Sequence, residues 1–119
     1  MPSSKPYLRL NDIVESTQAI LEYTAGIDEE TFEGSRMTYD VVERCLERIS
    51  EAASKLGDMA PSLVPNQPWP EIRALGNRLR HNYDELGAHR IWAIIQKDLP
   101  GLIFACEAAL RHDEAKPHK

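Results

Sequence analysis

Apolar residues recur at steps of three and four positions along almost the whole chain, and this spacing restricts the fold more than any other feature of the sequence. An α-helix turns once every 3.6 residues, so such a stripe runs along one face of a helix and marks its buried side. The first stripe consists of Leu10, Ile13, Val14, Thr17, Ile20, Leu21 and Thr24. It stops before Gly26, where we expect the first helix to end.

The next stripe predicts a second long helix after a short turn. Asp28 can cap a short acidic turn that runs through Phe32. The stripe that follows consists of Met37, Val41, Val42, Cys45, Leu46, Ile49, Ala52 and Leu56. It ends at Gly57. Residues 58–70 contain four of the eight prolines, and proline lacks the N–H that a regular backbone ladder needs. We therefore expect one long irregular connection there.

The second half of the chain predicts two more helices. The first begins near Pro70 and runs to residues 86–87. Its apolar seam consists of Ile72, Leu75, Leu79 and Leu86. The second opens near Ala88, and its stripe consists of Ile91, Ile95, Leu99, Leu102, Cys106 and Leu110. Pro100 lies inside this stripe, so we expect a kink or a restart capped by Asp98.

These patterns predict an all-α fold. No segment alternates apolar and polar residues with the period of two that a half-buried strand requires. We expect an antiparallel bundle of four to five helices, formed by residues 1–112 as a single domain. The last residues, 113–119, are expected to be a disordered tail. A chain of 119 residues leaves no room for a second domain.

Composition and charge exclude several classes of protein. The sequence has no run of roughly 18 apolar residues and no apolar block behind a basic N-terminus, so we expect a soluble, cytoplasmic protein without membrane contact. A net charge of −5 and a pI near 5.3 disfavour tight binding to duplex DNA. Cys45 and Cys106 have no cysteine or histidine neighbours at metal-ligand spacing and are predicted to be buried free thiols. We expect no cofactor and no metal.

The segment ALGNRLRHNY, residues 74–83, concentrates basic side chains on the third helix. On a helical wheel, one polar face contains Arg73, Asn77, Arg80, His81 and Asp84, while Arg78 is a further cation and Tyr83 lies beside the apolar seam. One interpretation is an ordinary exposed face, on which Arg80 and Asp84 form an i, i+4 ion pair. His81 could equally be a core histidine and Tyr83 a packing aromatic.

The other interpretation is a site for RNA cleavage without a metal. Such a reaction needs a base for the ribose 2′-OH, an acid for the leaving 5′ oxygen and a cation for the charge that grows on phosphorus. Histidine and arginine suit these tasks near neutral pH. The helix offers one such histidine, His81, so a second one would come from another copy of the chain in a symmetric dimer.

The helix order and three segments resemble the HepT family of the HEPN superfamily. These segments are PWPEIR, LGNRLRHNY and IWAIIQKDLPGL, and the similarity covers residues 8 to about 110. It implies a HEPN-like bundle that acts as a homodimeric, metal-independent endoribonuclease toxin of a type VII toxin–antitoxin pair. It also implies a nucleotidyltransferase antitoxin as partner, which transfers AMP to a tyrosine. His81 and Tyr83 match the His-x-Tyr part of the family motif, so Tyr83 is the expected acceptor.

The arginine of the motif is missing at its usual place. In the family motif four to six residues separate the arginine from the histidine, whereas this chain has Gly76 where similar proteins have that arginine. Arg73 is one residue too far away, and Arg78 and Arg80 are too close. Arg80 or Arg73 could supply the charge, with Asn77 and Arg78 in support. A weak or inactive subunit that the nucleotidyltransferase binds or modifies is therefore the alternative, and a plain structural helical module is a third.

Overall fold

The computed structural model describes the backbone of residues 5–81 and 83–115 and the side chains of residues 5–80 and 87–113. Its helices are α1 (Pro6–Thr24), α2 (Glu29–Gly34), α3 (Arg36–Leu56), α4 (Met59–Leu63), α5 (Trp69–His81), α6 (Tyr83–Ala93) and α7 (Leu99–Ala115). A π-helical turn, Ile94–Asp98, joins the last two. The described part contains no strand, which confirms the all-α prediction. None of the described helices is long and apolar enough to cross a membrane.

The core forms where four helices meet. Helix α3 packs against α1 on one side and α5 on the other, and α7 covers α1. The predicted stripes are buried almost throughout, for example at Leu10, Leu46, Ile49 and Ile95. Leu21, Val41, Ile72 and Leu110 are half-buried. Among the described side chains of the stripes, only Met37 is exposed, at 79%. It lies in the first turn of α3, and the buried face of that helix begins only around Val42.

The predicted connection at residues 58–70 is wrong in its first half, because Met59–Leu63 forms the short helix α4. Pro61 falls in the first turn of this helix, where a backbone N–H has no intrahelical partner and its absence costs nothing. The N–H of Val64 then closes the helix on the carbonyl oxygen of Ala60 at 2.8 Å. Proline content alone therefore did not exclude a single helical turn.

The break between the third and fourth predicted helices falls at the predicted place. Helix α5 ends at His81 and α6 begins at Tyr83, but the sharper change is at Gly87, with φ 68° and ψ 157°. This left-handed φ is one that glycine adopts at low cost, so the helix direction can change there. The two helical parts on either side of Gly87 match the predicted end at residues 86–87 and the predicted restart near Ala88.

Pro100 is accommodated by a widened turn. The N–H of Leu99 bonds the carbonyl oxygen of Ile94, five residues earlier, which is the π-helical pattern. Leu99 keeps helical angles, so the chain continues through the turn and does not restart at Asp98. The wider turn relieves the conflict between the proline ring and the preceding carbonyl groups.

Helix α7 extends to Ala115, beyond the predicted domain end at residue 112. Residues 116–119 lie outside the described part of the chain. The division into a domain and a disordered tail stays a prediction.

Trp69 holds the start of α5, and substituting it should lower the stability of the fold by a measurable amount. Its side chain is 2% exposed, and its indole N–H donates to the carbonyl oxygen of Val64 at 2.8 Å. Trp69→Phe leaves that buried carbonyl without this donor and should lower the free energy of unfolding by about 1–3 kcal/mol. Urea titration followed by circular dichroism measures the loss.

Trp92→Phe is the matched control, because Trp92 is only half-buried and packs on Phe32 with ring centroids 5.4 Å apart. We expect a smaller loss for this variant. Equal losses would mean that the indole hydrogen bond does not hold the start of α5.

Candidate functional site

Helix α5, which carries the predicted site, is fastened to α3 by one buried serine. Ser50 is 3% exposed, and its Oγ donates to the carbonyl oxygen of Arg73 and accepts the N–H of Gly76, both at 2.9 Å. A hydroxyl can do both at once because it carries one donor and two acceptor lone pairs. The middle of α5 is therefore held at a defined distance from α3.

Gly76 is the residue that permits this close approach. A Cβ atom at position 76 would lie 2.7 Å from Ser50 Oγ and 3.1 Å from Ser50 Cβ. The first distance is too short for a larger residue to be accepted unless the Ser50 side chain or one of the two helices shifts. Gly76 is thus part of the packing between α5 and α3.

Arg80 lies over the space that Gly76 leaves open. Its Nη1 atom would be 3.3 Å from a Cβ atom at position 76. Positions 76 and 80 are four residues apart and share one helix stripe. A guanidinium group is therefore present beside position 76. It belongs to Arg80, the residue directly before His81, and not to a residue at position 76.

Arg78 lies on a different side of α5 from this stripe. Arg78 is half-buried and lines a groove of about 310 Å³ between α5 and the π-helical turn, together with Arg90. The groove has apolar walls, including Leu75 and Leu102. Asn77 is exposed. Arg73 is half-buried, and the contact that fastens it to α3 is made by its backbone.

The centre of the predicted site lies outside the described side chains. His81 ends α5 and Tyr83 begins α6, so both belong to helical backbone. The side chains of His81, Tyr83 and Asp84 are not among those described, and the predictions for them stay predictions. Of the predicted cations, the structure places Arg80 beside Gly76 and Arg78 in the separate groove.

The two cysteines are buried free thiols, as predicted. Burial raises the pKa of the Cys106 thiol to about 12. It also raises the pKa of Cys45, against a smaller opposite effect of Arg48. Both thiols therefore stay protonated at neutral pH and are poor nucleophiles.

Sequence patterns alone did not indicate the role of Ser50. A serine within an amphipathic helix normally indicates the polar boundary of the stripe, and its partners lie 23 and 26 residues further along the chain. The one available signal was Gly76 beside the apolar seam, which is typical of close helix approach.

The chain belongs to the family described as "Ribonuclease HepT-like", whose model matches residues 13–109. This agrees with the resemblance seen in the sequence and with the all-α fold. The match includes α5 and α6 and therefore every residue of the predicted site.

Named relatives support this membership. A Methanocaldococcus jannaschii protein named "Putative RNase MJ1380" is 35% identical over 91 residues, which cover 76% of this chain and 84% of the relative. "Probable ribonuclease HepT" of Thermococcus cleftensis is 33% identical over 100 residues, covering 84% and 89%. "Putative RNase MJ0127" of M. jannaschii is 28% identical over 116 residues, covering 98% and 96%. No solved structure matches the chain significantly.

The contact at Gly76 predicts the sign of a stability change. Alanine is favoured over glycine within a helix by roughly 1 kcal/mol, but at position 76 the steric conflict with Ser50 should outweigh this gain. We expect Gly76→Ala to lower the free energy of unfolding by about 1–2 kcal/mol in urea titrations.

Gly101→Ala serves as the control, because Gly101 lies in α7 and a Cβ atom there meets nothing within 4 Å. This variant should be neutral or stabilising by up to about 1 kcal/mol. An equal rise in the free energy of unfolding for both glycine variants would contradict the close approach of α3 and α5 at Gly76.

Proposed function

We propose that the protein is a metal-independent endoribonuclease in which Arg80 replaces the missing motif arginine. Membership of a ribonuclease family supports the reaction class. The observation that carries the assignment of Arg80 is the position of its guanidinium beside Gly76. Arg80 also directly precedes His81 at the end of α5.

In the proposed reaction, His81 takes the proton from a ribose 2′-OH. The 2′ oxygen attacks the adjacent phosphorus, the bond from phosphorus to the 5′ oxygen breaks, and the 5′ oxygen leaves with a proton from an acid. The products are a 2′,3′-cyclic phosphate and a 5′-hydroxyl. Arg80 stabilises the negative charge that develops on the phosphoryl oxygens. Arg73, Asn77 and Arg78 contribute contacts to neighbouring phosphates.

A second copy of the chain supplies the acid. One α5 carries a single histidine at the site, so a symmetric homodimer that brings two α5 helices together provides a base and an acid. The groove that contains Arg78 leaves part of the apolar surface of α5 uncovered in the single chain.

Regulation is assigned to Tyr83. We propose that a nucleotidyltransferase antitoxin of a type VII toxin–antitoxin system transfers AMP from ATP to the Tyr83 hydroxyl, with release of pyrophosphate. The added phosphate would repel RNA from the neighbouring cations, and the adenosine would occupy the space above them.

Gly76 supports a second candidate function. The packing of Gly76 on Ser50 leaves no room for an arginine at the motif position. If Arg80 cannot stabilise the reacting phosphate, the protein is a catalytically inactive subunit that the nucleotidyltransferase binds or modifies. A folded protein that accepts AMP but cleaves no RNA would establish this function.

Arg80 is tested by comparison with Arg78, which is a cation of the same helix that lies in the separate groove. Removing a group that stabilises charge in a transition state typically costs 10²–10³ in rate, so Arg80→Ala should slow RNA cleavage about 100-fold. Arg78→Ala should slow it less than about 5-fold, because phosphate contacts away from the reacting bond act mainly on binding. Cleavage of a labelled RNA at saturating enzyme measures both rates.

His81→Ala should abolish cleavage while the circular dichroism spectrum stays helical. Equal effects of the two arginine variants would contradict the assignment of Arg80. If the wild type is inert, cleavage that appears in Ser50→Gly/Gly76→Arg would identify this chain as an inactive member of the family.

Co-expression with a nucleotidyltransferase encoded beside this chain should add one or more AMP units, about 329 Da each by the chemistry of the transfer, to its intact mass. Tyr83→Phe should prevent the addition, because it removes the accepting hydroxyl and keeps the ring. Mass spectrometry of the intact protein and of its peptides measures both results.

Tyr39→Phe is a control for modification at another tyrosine. A mass increase that survives in Tyr83→Phe would contradict the assignment of the acceptor. It would leave the ribonuclease assignment untouched.

A further inference from the structure

Three metal-ligating side chains from two helices meet at the surface of the bundle. Glu29 and Glu33 are four residues apart on α2, and His89 lies on α6. One candidate ligand atom from each of the three lies within 4.8 Å of the others. His89 Nδ1 is 2.9 Å from Glu29 Oε2. His89 lies sixty residues after Glu29 in the sequence, so the cluster does not form a local sequence motif.

Apolar packing between α2 and α6 holds the three side chains of this cluster near one another. The fully buried Phe32 lies between Glu29 and Glu33 on α2. Its ring packs on Trp92, with centroids 5.4 Å apart, and Trp92 lies one turn after His89 on α6. The Phe32–Trp92 contact thus sets the separation of the two helix faces that carry the ligands.

The start of α2 is also held by a cap. Asp28 accepts the N–H of Thr31 at 2.8 Å, and this bond lowers the pKa of Asp28. The carboxylates of Glu29 and Glu33 therefore project from a helix whose first turn is fixed at both ends, by the cap and by Phe32.

We propose that Glu29, Glu33 and His89 form a binding site for a divalent transition metal of the zinc class. A neutral imidazole nitrogen and carboxylate oxygens are ligands that Zn²⁺ uses at about 2.0–2.2 Å, whereas Ca²⁺ and Mg²⁺ prefer oxygen alone. A tetrahedral ion needs its ligands about 3.3 Å apart, which small side-chain rotations from the present separation can reach. Water completes the coordination, because Glu33 and His89 are exposed.

The electrostatic surroundings of His89 favour a cation. The carboxylates of Glu29 and Glu33 place negative charge beside His89. Lys97 acts in the opposite direction. Two carboxylates against one nearby lysine leave a negative site, so an incoming dication gains attraction that Lys97 partly reduces.

Occupancy would tie α2 to α6. His89 follows Gly87, the residue at which the helix direction changes, by two positions. The ion would therefore replace a single hydrogen bond between the two helices with coordination bonds to both, and would hold α6 at the point where it leaves that change of direction. This site is independent of the proposed cleavage reaction, and its test needs no RNA.

The test uses the untagged full chain after treatment with a chelator. Titration with ZnCl₂ in a calorimeter should show one ion per chain with a dissociation constant in the micromolar range, and ZnCl₂ should raise the melting temperature by a few degrees. MgCl₂ should do neither. CoCl₂ should give visible absorption bands typical of mixed nitrogen and oxygen coordination.

Glu33→Gln is the most informative variant, because it removes one ligand and leaves the contact of His89 with Glu29 in place. We expect at least 10-fold weaker Zn²⁺ binding for Glu33→Gln and for His89→Ala. Glu30→Gln, on the same exposed helix but outside the cluster, should bind as the wild type. Lys97→Gln should bind about 2- to 3-fold more tightly.

The proposal is wrong if no heat is seen up to 100 μM ZnCl₂. It is also wrong if both ligand variants bind as the wild type, which would place the ion elsewhere, for example at His112 or His118. The circular dichroism spectrum of Glu33→Gln should match that of the wild type, which shows that weaker Zn²⁺ binding does not result from unfolding.

Discussion

The distance between α3 and α5 is the constraint on which the rest of the site depends. Ser50 bonds two backbone groups of α5, and Gly76 supplies the space that this contact needs. The Oγ atom of Ser50 bonds the backbone of α5 directly, so this contact defines where the middle of α5 lies on α3. The direction in which Arg80 and Arg78 leave the helix follows from it.

Gly76 affects both the packing of α5 on α3 and the position of Arg80. Its lack of a Cβ atom brings α5 close enough to α3 for Ser50 to bond it. The close approach in turn leaves a shallow space that the guanidinium of Arg80 covers. Gly76 thus bears both on the spacing of α3 and α5 and on the place that the guanidinium of Arg80 occupies. For this reason the position of the motif arginine cannot be judged from residue spacing alone.

The long helices were predictable because their apolar stripes repeat over four or more turns, and a stripe of that length has only one way to be buried. The breaks at Gly87 and Pro100 were predictable because glycine and proline each alter the backbone at a single position. Three features escaped the sequence. Helix α4 is a single turn without a stripe, the bonds of Ser50 join distant segments, and the cluster of His89 with α2 depends on how Phe32 and Trp92 pack. Each is a product of tertiary contacts, which local patterns do not encode.

The segment from His81 to residue 86 is held from both ends by contacts that do not involve it. On its N-terminal side, α5 is bonded to α3 through Ser50. On its C-terminal side, beyond Gly87, α6 rests on α2 through Trp92 and Phe32, and His89 bonds Glu29. These contacts therefore position the helices that carry His81 and Tyr83. Substitutions at Ser50 or Phe32 should therefore act on His81 and Tyr83 at a distance, through the position of the helices that carry them.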